Sequence, residues 1–178
     1  FHKKPEGFLY TIEIMPKMSF GTGHHQTTRL MSRLMLNMNL EGKKVLDMGT
    51  GTGILAILAS MRGAADILAI DNFEWAVENT AENVERNHCS NIEARLGDAE
   101  LLKDLHFETV LANINRNVLL EDMKTYIKTL PIGGQLALSG FFEDDFHLLD
   151  DEATAHGMEL VSKEQEGRWL ACLYKKIN

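Results

Sequence analysis

Apolar positions in this chain fall into short continuous runs separated by stretches of helical periodicity, a pattern that predicts strands alternating with helices. Residues 45–48 (VLDM), 67–70 (ILAI), 92–96 (IEARL), 109–113 (TVLAN) and 135–140 (QLALSG) read as strands. Most are apolar at successive positions, as strands buried on both faces are. Between the first two, 54–61 (ILAILASM) is apolar all round, as expected of a helix packed on a sheet. The more polar stretch 74–88 carries Val77, Ala81 and Val84 on one helical face, and 118–130 repeats a helical pattern until Pro131 and Gly133-Gly134 stop it. Ahead of the first buried strand, Leu30, Leu34 and Met38, with Met31 and Met35, predict a helix with Thr27 or Thr28 at its N-cap. Residues 8–14 (FLYTIEI) have β-rich composition and read as a strand ending near Pro16. At the other end, a helix over about 143–156 leads to two strands, 158–166 and 168–175, joined by a hairpin turn at Gly167.

The expected fold is therefore α/β: a doubly wound, Rossmann-like, mostly parallel seven-stranded sheet with an antiparallel C-terminal strand and helices on both faces. A length of 178 residues suits one domain with a full core. The formal charge of −8 argues against a broad phosphate-binding surface and is compatible with a basic protein partner. No apolar run approaches membrane-spanning length. Cys89 and Cys172 lack CxxC spacing and read as reduced thiols, which fits an intracellular compartment.

Chemistry concentrates in 44–54, KVLDMGTGTGI. A strand runs into Gly49, Gly51 and Gly53, and a helix opens at Ile54. Glycines let the backbone turn sharply and approach a ligand, while free N–H groups and the helix dipole converge there, so this is a nucleotide-cofactor cradle. The dinucleotide fingerprint needs its third glycine where Ile54 stands, which disfavours a nicotinamide enzyme. GxGxG after an aspartate on a strand instead resembles the first motif of class I S-adenosylmethionine-dependent methyltransferases. In such a sheet the ligand sits at the carboxyl ends of the strands. Asp71 ends the second strand and offers two oxygens to the vicinal ribose hydroxyls, or else simply opens a helix. Asp98 accepts from the adenine amino group or caps a turn. Asn113, costly at the end of an apolar strand unless its amide finds a partner, holds an amine with its lone pair toward the methyl group, or caps the next helix.

Taken together, MSFGTGHHQTTRL, KVLDMGTGTGILAI, AIDN and VLANINRNVL resemble the PrmA family, bacterial methyltransferases of large-subunit ribosomal protein eleven. The similarity runs from about Met15 to the end, through SGFFEDD and RWLACLYKK. An FGTG loop with a following TT pair sets this family apart from other class I methyltransferases. The resemblance implies that Thr28 contacts the cofactor, Gly49 is the first glycine of its turn, Asp71 binds ribose and Asn113 lies beside the methyl acceptor. It implies that Phe20, Gly21, Thr22 and Gly23 close over the methionine part of S-adenosyl-L-methionine, which leaves as S-adenosyl-L-homocysteine. The implied reaction is N-methylation of lysine side chains or the N-terminal amine of a basic ribosomal protein, in the cytoplasm, with no direct nucleic-acid or membrane partner.

The same resemblance makes 1–178 a single catalytic domain. Within it, 1–19 is a leading strand and linker from an amino-terminal substrate-recognition domain that this sequence lacks. His24 and Gln26 stand where the family usually shows Thr and Pro; His25 matches, and neither histidine reads as a metal ligand. Asn115 and Arg116 replace small apolar residues on the acceptor rim and bear on acceptor preference more than on reaction type. NIN at 113–115, in place of NPPY, disfavours glutamine and nucleobase acceptors. Another protein or small-molecule amine, or a catalytically silent cofactor-binding module, stay open as alternatives.

Overall fold

The computed structural model describes residues 7–17 and 24–178, so the expectation for Phe20, Gly21, Thr22 and Gly23 lies outside the described residues. The strands are β1 (Lys44–Met48), β2 (Asp66–Asp71), β3 (Ile92–Leu96), β4 (Thr109–Asn113), β5 (Gln135–Phe142), β6 (Met158–Glu166) and β7 (Trp169–Lys176). Between them run α1 (Gln26–Asn37), α2 (Ile54–Met61), α3 (Glu74–Arg86), α4 (Arg116–Thr129) and α5 (Phe146–Ala155).

One seven-stranded sheet has the order β3-β2-β1-β4-β5-β7-β6. The chain winds from β1 to one edge through β2 and β3, then returns so that β4 pairs parallel to the free side of β1. Strand β7 is antiparallel to both β5 and β6, which makes the expected antiparallel C-terminal strand. Strand β5 extends two residues past the expected 140, because Phe141 and Phe142 pair with Leu170 and Trp169 beyond a register irregularity after Ser139. Gly140 occupies that irregularity at φ 99°, a conformation that glycine adopts at little cost.

Side chains alternate across β1, which sends Leu46 and Met48 to one core and Val45 to the other. The first core includes Leu119, Met123 and Tyr126 of α4 and Leu149 of α5. The second includes Leu30, Met31, Leu34 and Met35 of α1 and Leu55, Ala56 and Leu58 of α2. Both faces of the sheet are thus covered, as the continuous apolar runs require.

Three local expectations are corrected. Residues 8–14 form no strand; the backbone of Glu13 bonds to the side chain of Asn87, and Met15 and Lys17 likewise bond to Asn83 and Asn79, in place of a sheet neighbour. Helix α3 does not bury Val77, Ala81 and Val84 as its inner face. Its buried residues are Ala76, Asn79, Thr80 and Asn83, because that face meets backbone polar groups that need amide and hydroxyl partners. The N-cap of α1 is His25, whose Nδ1 accepts from Thr27 N–H at 3.3 Å; Thr27 and Thr28 are buried in the first turn.

Candidate active site

From β1 and β4 the chain departs in opposite directions, and such a switch point opens a crevice at the carboxyl ends of the strands. A cavity of about 580 Å³ lies there. Thr28, Gly49, Gly51, Asp71, Asp98 and Asn113 all line it, so the fold brings together six candidates from five separate stretches of sequence.

Gly49, Gly51 and Gly53 have φ of 73°, 58° and 79°, the left-handed region that lets the strand turn sharply into α2. The N–H groups of Gly49 and Thr50 donate to the carbonyl of Ile70 at 2.8 and 3.0 Å, which pins the turn to the end of β2. Asp71, the next residue of β2, accepts from Gly51 N–H through Oδ2 (2.9 Å) and from Phe73 N–H through Oδ1 (3.1 Å). Both oxygens are therefore fixed in direction, and each retains a lone pair for a hydroxyl donor. Gly53 stands apart from the cavity wall. It is the N-cap of α2, and a Cβ there would approach Thr80 Cγ2 of α3 to 2.9 Å.

Two buried polar atoms on this cavity have no hydrogen-bond partner among the described residues: Thr28 Oγ1 and Asn113 Oδ1. Such atoms are rare in folded proteins unless a ligand or water completes them. Thr28 is 1% exposed, and Asn113 ends β4 opposite Ser139 of β5. Asp98 is exposed and does two things: its Oδ1 accepts from Glu100 N–H at 2.9 Å, capping a 3-10 turn, and it also lines the cavity. Asn115 caps α4 by accepting from Val118 N–H at 3.2 Å and lies on the cavity wall. Arg116 turns away, donating to Asp145 Oδ1 at 2.7 Å.

Several wall residues escaped the sequence reading. Phe73 and Trp75 stack at 5.4 Å between ring centroids and 21° between planes, an apolar plate directly after Asp71. The spacing of aromatics in DNFEW was a signal for it. Trp169, brought in by the β6–β7 hairpin, meets His25 edge-on at 5.0 Å and Phe142 at 4.2 Å. Arg29 of α1 pairs with Glu166 at the hairpin end and lashes it beside the cavity. Burial, and then the neighbouring Arg29 charge, hold His25 below the usual imidazole range, which leaves its Nδ1 free to accept from Thr27. No short motif announces these tertiary meetings.

Under the glycine turn sits Asp47, 1% exposed, whose Oδ2 accepts from Thr50 Oγ1 (2.7 Å) and Ala56 N–H (3.2 Å). Burial pushes its carboxyl up to about 6 against the pull of those two bonds, with Asp71 adding a like charge. Asp122 also borders the cavity and accepts from the Tyr126 hydroxyl at 3.2 Å. Among the described residues the cavity is lined by Asp71, Asp98 and Asp122 but by no lysine or arginine. That balance repels a pyrophosphate and suits a cationic or neutral nucleoside ligand.

The family model described as ribosomal protein L11 methyltransferase (PrmA) matches residues 2–177. A curated relative from Bacteroides thetaiotaomicron, named ribosomal protein L11 methyltransferase, is 46% identical over 172 residues, which cover 96% of this chain and 61% of that protein. The chain thus spans about three-fifths of the relative's length. The crystal structure of ribosomal protein L11 methylase from Lactobacillus delbrueckii subsp. bulgaricus superposes with a TM-score of 0.85 at 27% identity, covering 94% of this chain and 86% of that one. TYW2 of M. jannaschii, solved in complex with AdoMet, has a TM-score of 0.62 at 18% identity over 82% of this chain and 74% of that one, a likeness of fold. The fold is that of S-adenosylmethionine-dependent methyltransferases.

Proposed function

This chain belongs to the ribosomal protein L11 methyltransferase (PrmA) family, and from that premise we propose that it transfers the methyl group of S-adenosylmethionine to amine nitrogens of ribosomal protein L11. The observation that carries the reading is the pair of buried atoms, Thr28 Oγ1 and Asn113 Oδ1, that have no hydrogen-bond partner among the described residues and lie on one cavity that no described lysine or arginine lines.

When bound, the cofactor supplies an electrophilic sulfonium methyl group. The chain's own residues hold and aim. Asp71, clamped by two backbone N–H groups, receives the ribose hydroxyls. The Phe73–Trp75 plate covers the purine, and Asp98 accepts from its amino group. Gly49 and Gly51 give the methionine part close access to backbone, and Thr28 completes a polar contact there. Asn113 Oδ1 accepts an N–H of the incoming amine, which leaves the nitrogen lone pair to point at the methyl group.

A lysine amine has a reference pKa of about 10.4, so it must lose a proton before it attacks. Asn113 cannot take that proton. Water carries it away, and the asparagine orients the neutral amine. We take the acceptors to be lysine side chains, the N-terminal amine, or both. In this reading 1–178 are the catalytic domain, and recognition of the ribosomal protein resides in the part of the relatives that the chain does not span. A ribosomal-protein substrate puts the reaction in the cytoplasm.

The test uses labelled S-adenosylmethionine and purified unmethylated L11, read by mass spectrometry, with this chain and with one extended at its amino terminus to the relatives' length. Methylation of L11 by the extended chain is the expected result. If neither form methylates L11 while both bind S-adenosylhomocysteine, the acceptor is a different amine.

A further inference from the structure

Helix α3 and its C-cap carry an asparagine at every fourth position, Asn79, Asn83 and the capping Asn87, facing alternate residues of segment 13–17. Four helical residues rise about 6.0 Å and two extended residues about 6.6 Å, so the two repeats stay in step over this length. Glu13 N–H donates to Asn87 Oδ1 at 2.9 Å, and its carbonyl accepts from Asn87 Nδ2 at 2.7 Å. Met15 N–H donates to Asn83 Oδ1 at 2.9 Å, and its carbonyl accepts from Asn79 Nδ2 at 2.7 Å. Lys17 N–H donates to Asn79 Oδ1 at 3.1 Å. A primary amide offers the same acceptor and donor as a peptide group, so α3 serves this segment as the edge of a sheet would.

Asn83 also faces the other way. Fully buried, it donates from Nδ2 to the carbonyl of Thr52 at 2.9 Å, inside the glycine turn. About one helical turn earlier on the same face, Thr80 Oγ1 donates to the carbonyl of Gly51 at 3.1 Å. With these carbonyls drawn onto α3, the N–H of Gly51 is left for Asp71. The two ends of the Asn83 amide are rigidly joined: Met15 N–H fixes Oδ1, and the planar group then aims Nδ2 at Thr52.

We propose that Asn83 is a positioning residue of the glycine turn, and that docking of segment 13–17 and ligand binding at the turn are one coupled equilibrium transmitted through its amide. A ligand that holds the turn protects the segment, and release of the segment loosens the turn, since such coupling is reciprocal. Only the ligand half of this statement rests on the S-adenosylmethionine reading.

Met15→Pro removes the N–H that Asn83 accepts and leaves every α3 side chain in place. Asn87→Ala, which touches no atom of the turn, releases the Glu13 end and serves should the first variant fail to fold. Hydrogen exchange read by mass spectrometry on the whole chain, without ligand, should show the Gly51 and Gly53 amides exchanging at least about five-fold faster than in the parent. With S-adenosylhomocysteine, the amides of residues 13, 15 and 17 should slow in the parent, and its Kd should rise about five-fold or more in Met15→Pro. Turn amides that keep their parent rate while 13–17 has lost protection would overturn the coupling. A parent that does not bind S-adenosylhomocysteine, with turn amides that still respond, would retain Asn83 in its positioning role and remove the cofactor assignment.

Discussion

Gly49 and Ile114 pack so closely that a Cβ on Gly49 would stand 2.0 Å from Ile114 Cγ2. Ile114 follows Asn113 directly, so this contact joins the glycine turn after β1 to the acceptor end of β4. A second glycine presses on the same residue: a Cβ at Gly140 would lie 2.1 Å from the Ile114 carbonyl oxygen. Ile114 is wedged between them, and the spacing of the two halves of the site follows from two missing methyl groups.

Gly140→Ala should therefore cost more stability than Gly49→Ala. Both positions have positive φ, 99° and 73°, but the obstacle at Gly140 is backbone, while at Gly49 it is a side-chain methyl that can shift. We expect about 1–3 kcal/mol for Gly49→Ala and more for Gly140→Ala, measured by urea unfolding. Calorimetric titration should find S-adenosylhomocysteine bound at least about ten-fold more weakly by Gly49→Ala. Parent-like affinity in that variant would mean that Ile114 is no fixed wall.

Asp47 makes stability depend on pH with a definite sign. Its folded carboxyl, at about 6, lies above the ordinary 3.8. Between those values the folded chain holds a proton that the unfolded chain has lost, so this group's contribution to stability falls as pH rises through the window and is level above it. Asp47→Asn keeps an acceptor for Thr50 and Ala56 without the buried charge. It should be more stable than the parent by about 1–3 kcal/mol at pH 7.5, with the difference shrinking at pH 4.5. Paired urea titrations at the two pH values decide it; a gap that does not change with pH would contradict the assignment.

The parts of the site that could be read in the sequence are those encoded within a few residues. Gly49 and Gly51 after an apolar strand, Asp71 at the end of the next and Asn113 at the end of β4 each carry their own local signal, and a mostly parallel sheet follows from the alternation of elements. What could not be read depends on partners far away in the chain. FLYTIEI has strand composition, yet near its end the backbone of Glu13 bonds to the side chain of Asn87, 74 positions on. Spacing of asparagines at every fourth residue was visible in NTAENVERN, but an apolar-face rule looks past amides. Trp169 reaches the cavity only because β7 inserts between β5 and β6.

Thr28→Val removes the unpartnered hydroxyl while keeping shape. The ligand-free protein should lose no stability, since the deleted atom has no hydrogen bond to lose among the described residues. Affinity for S-adenosylhomocysteine should fall about three- to ten-fold, the worth of one hydrogen bond. Thermal melts with and without ligand separate the two effects: unchanged melting alone, and a smaller ligand-induced rise.

Asn113→Ala poses the same test at the acceptor end, with the opposite kinetic signature. Asn113 Oδ1 is buried and has no hydrogen-bond partner among the described residues, so its removal should leave the ligand-free chain as stable as before, or more stable by up to about 1–2 kcal/mol. If the oxygen orients the amine, turnover should fall about 10- to 100-fold while S-adenosylhomocysteine affinity changes less than about three-fold. Single-turnover methylation and calorimetric titration on the same preparation give both numbers. Equal losses in the two would place Asn113 in cofactor binding alone. Asn113→Asp refines the result: a carboxylate there favours the protonated amine, so residual activity should shift to higher pH, a displacement that a purely structural asparagine would not produce.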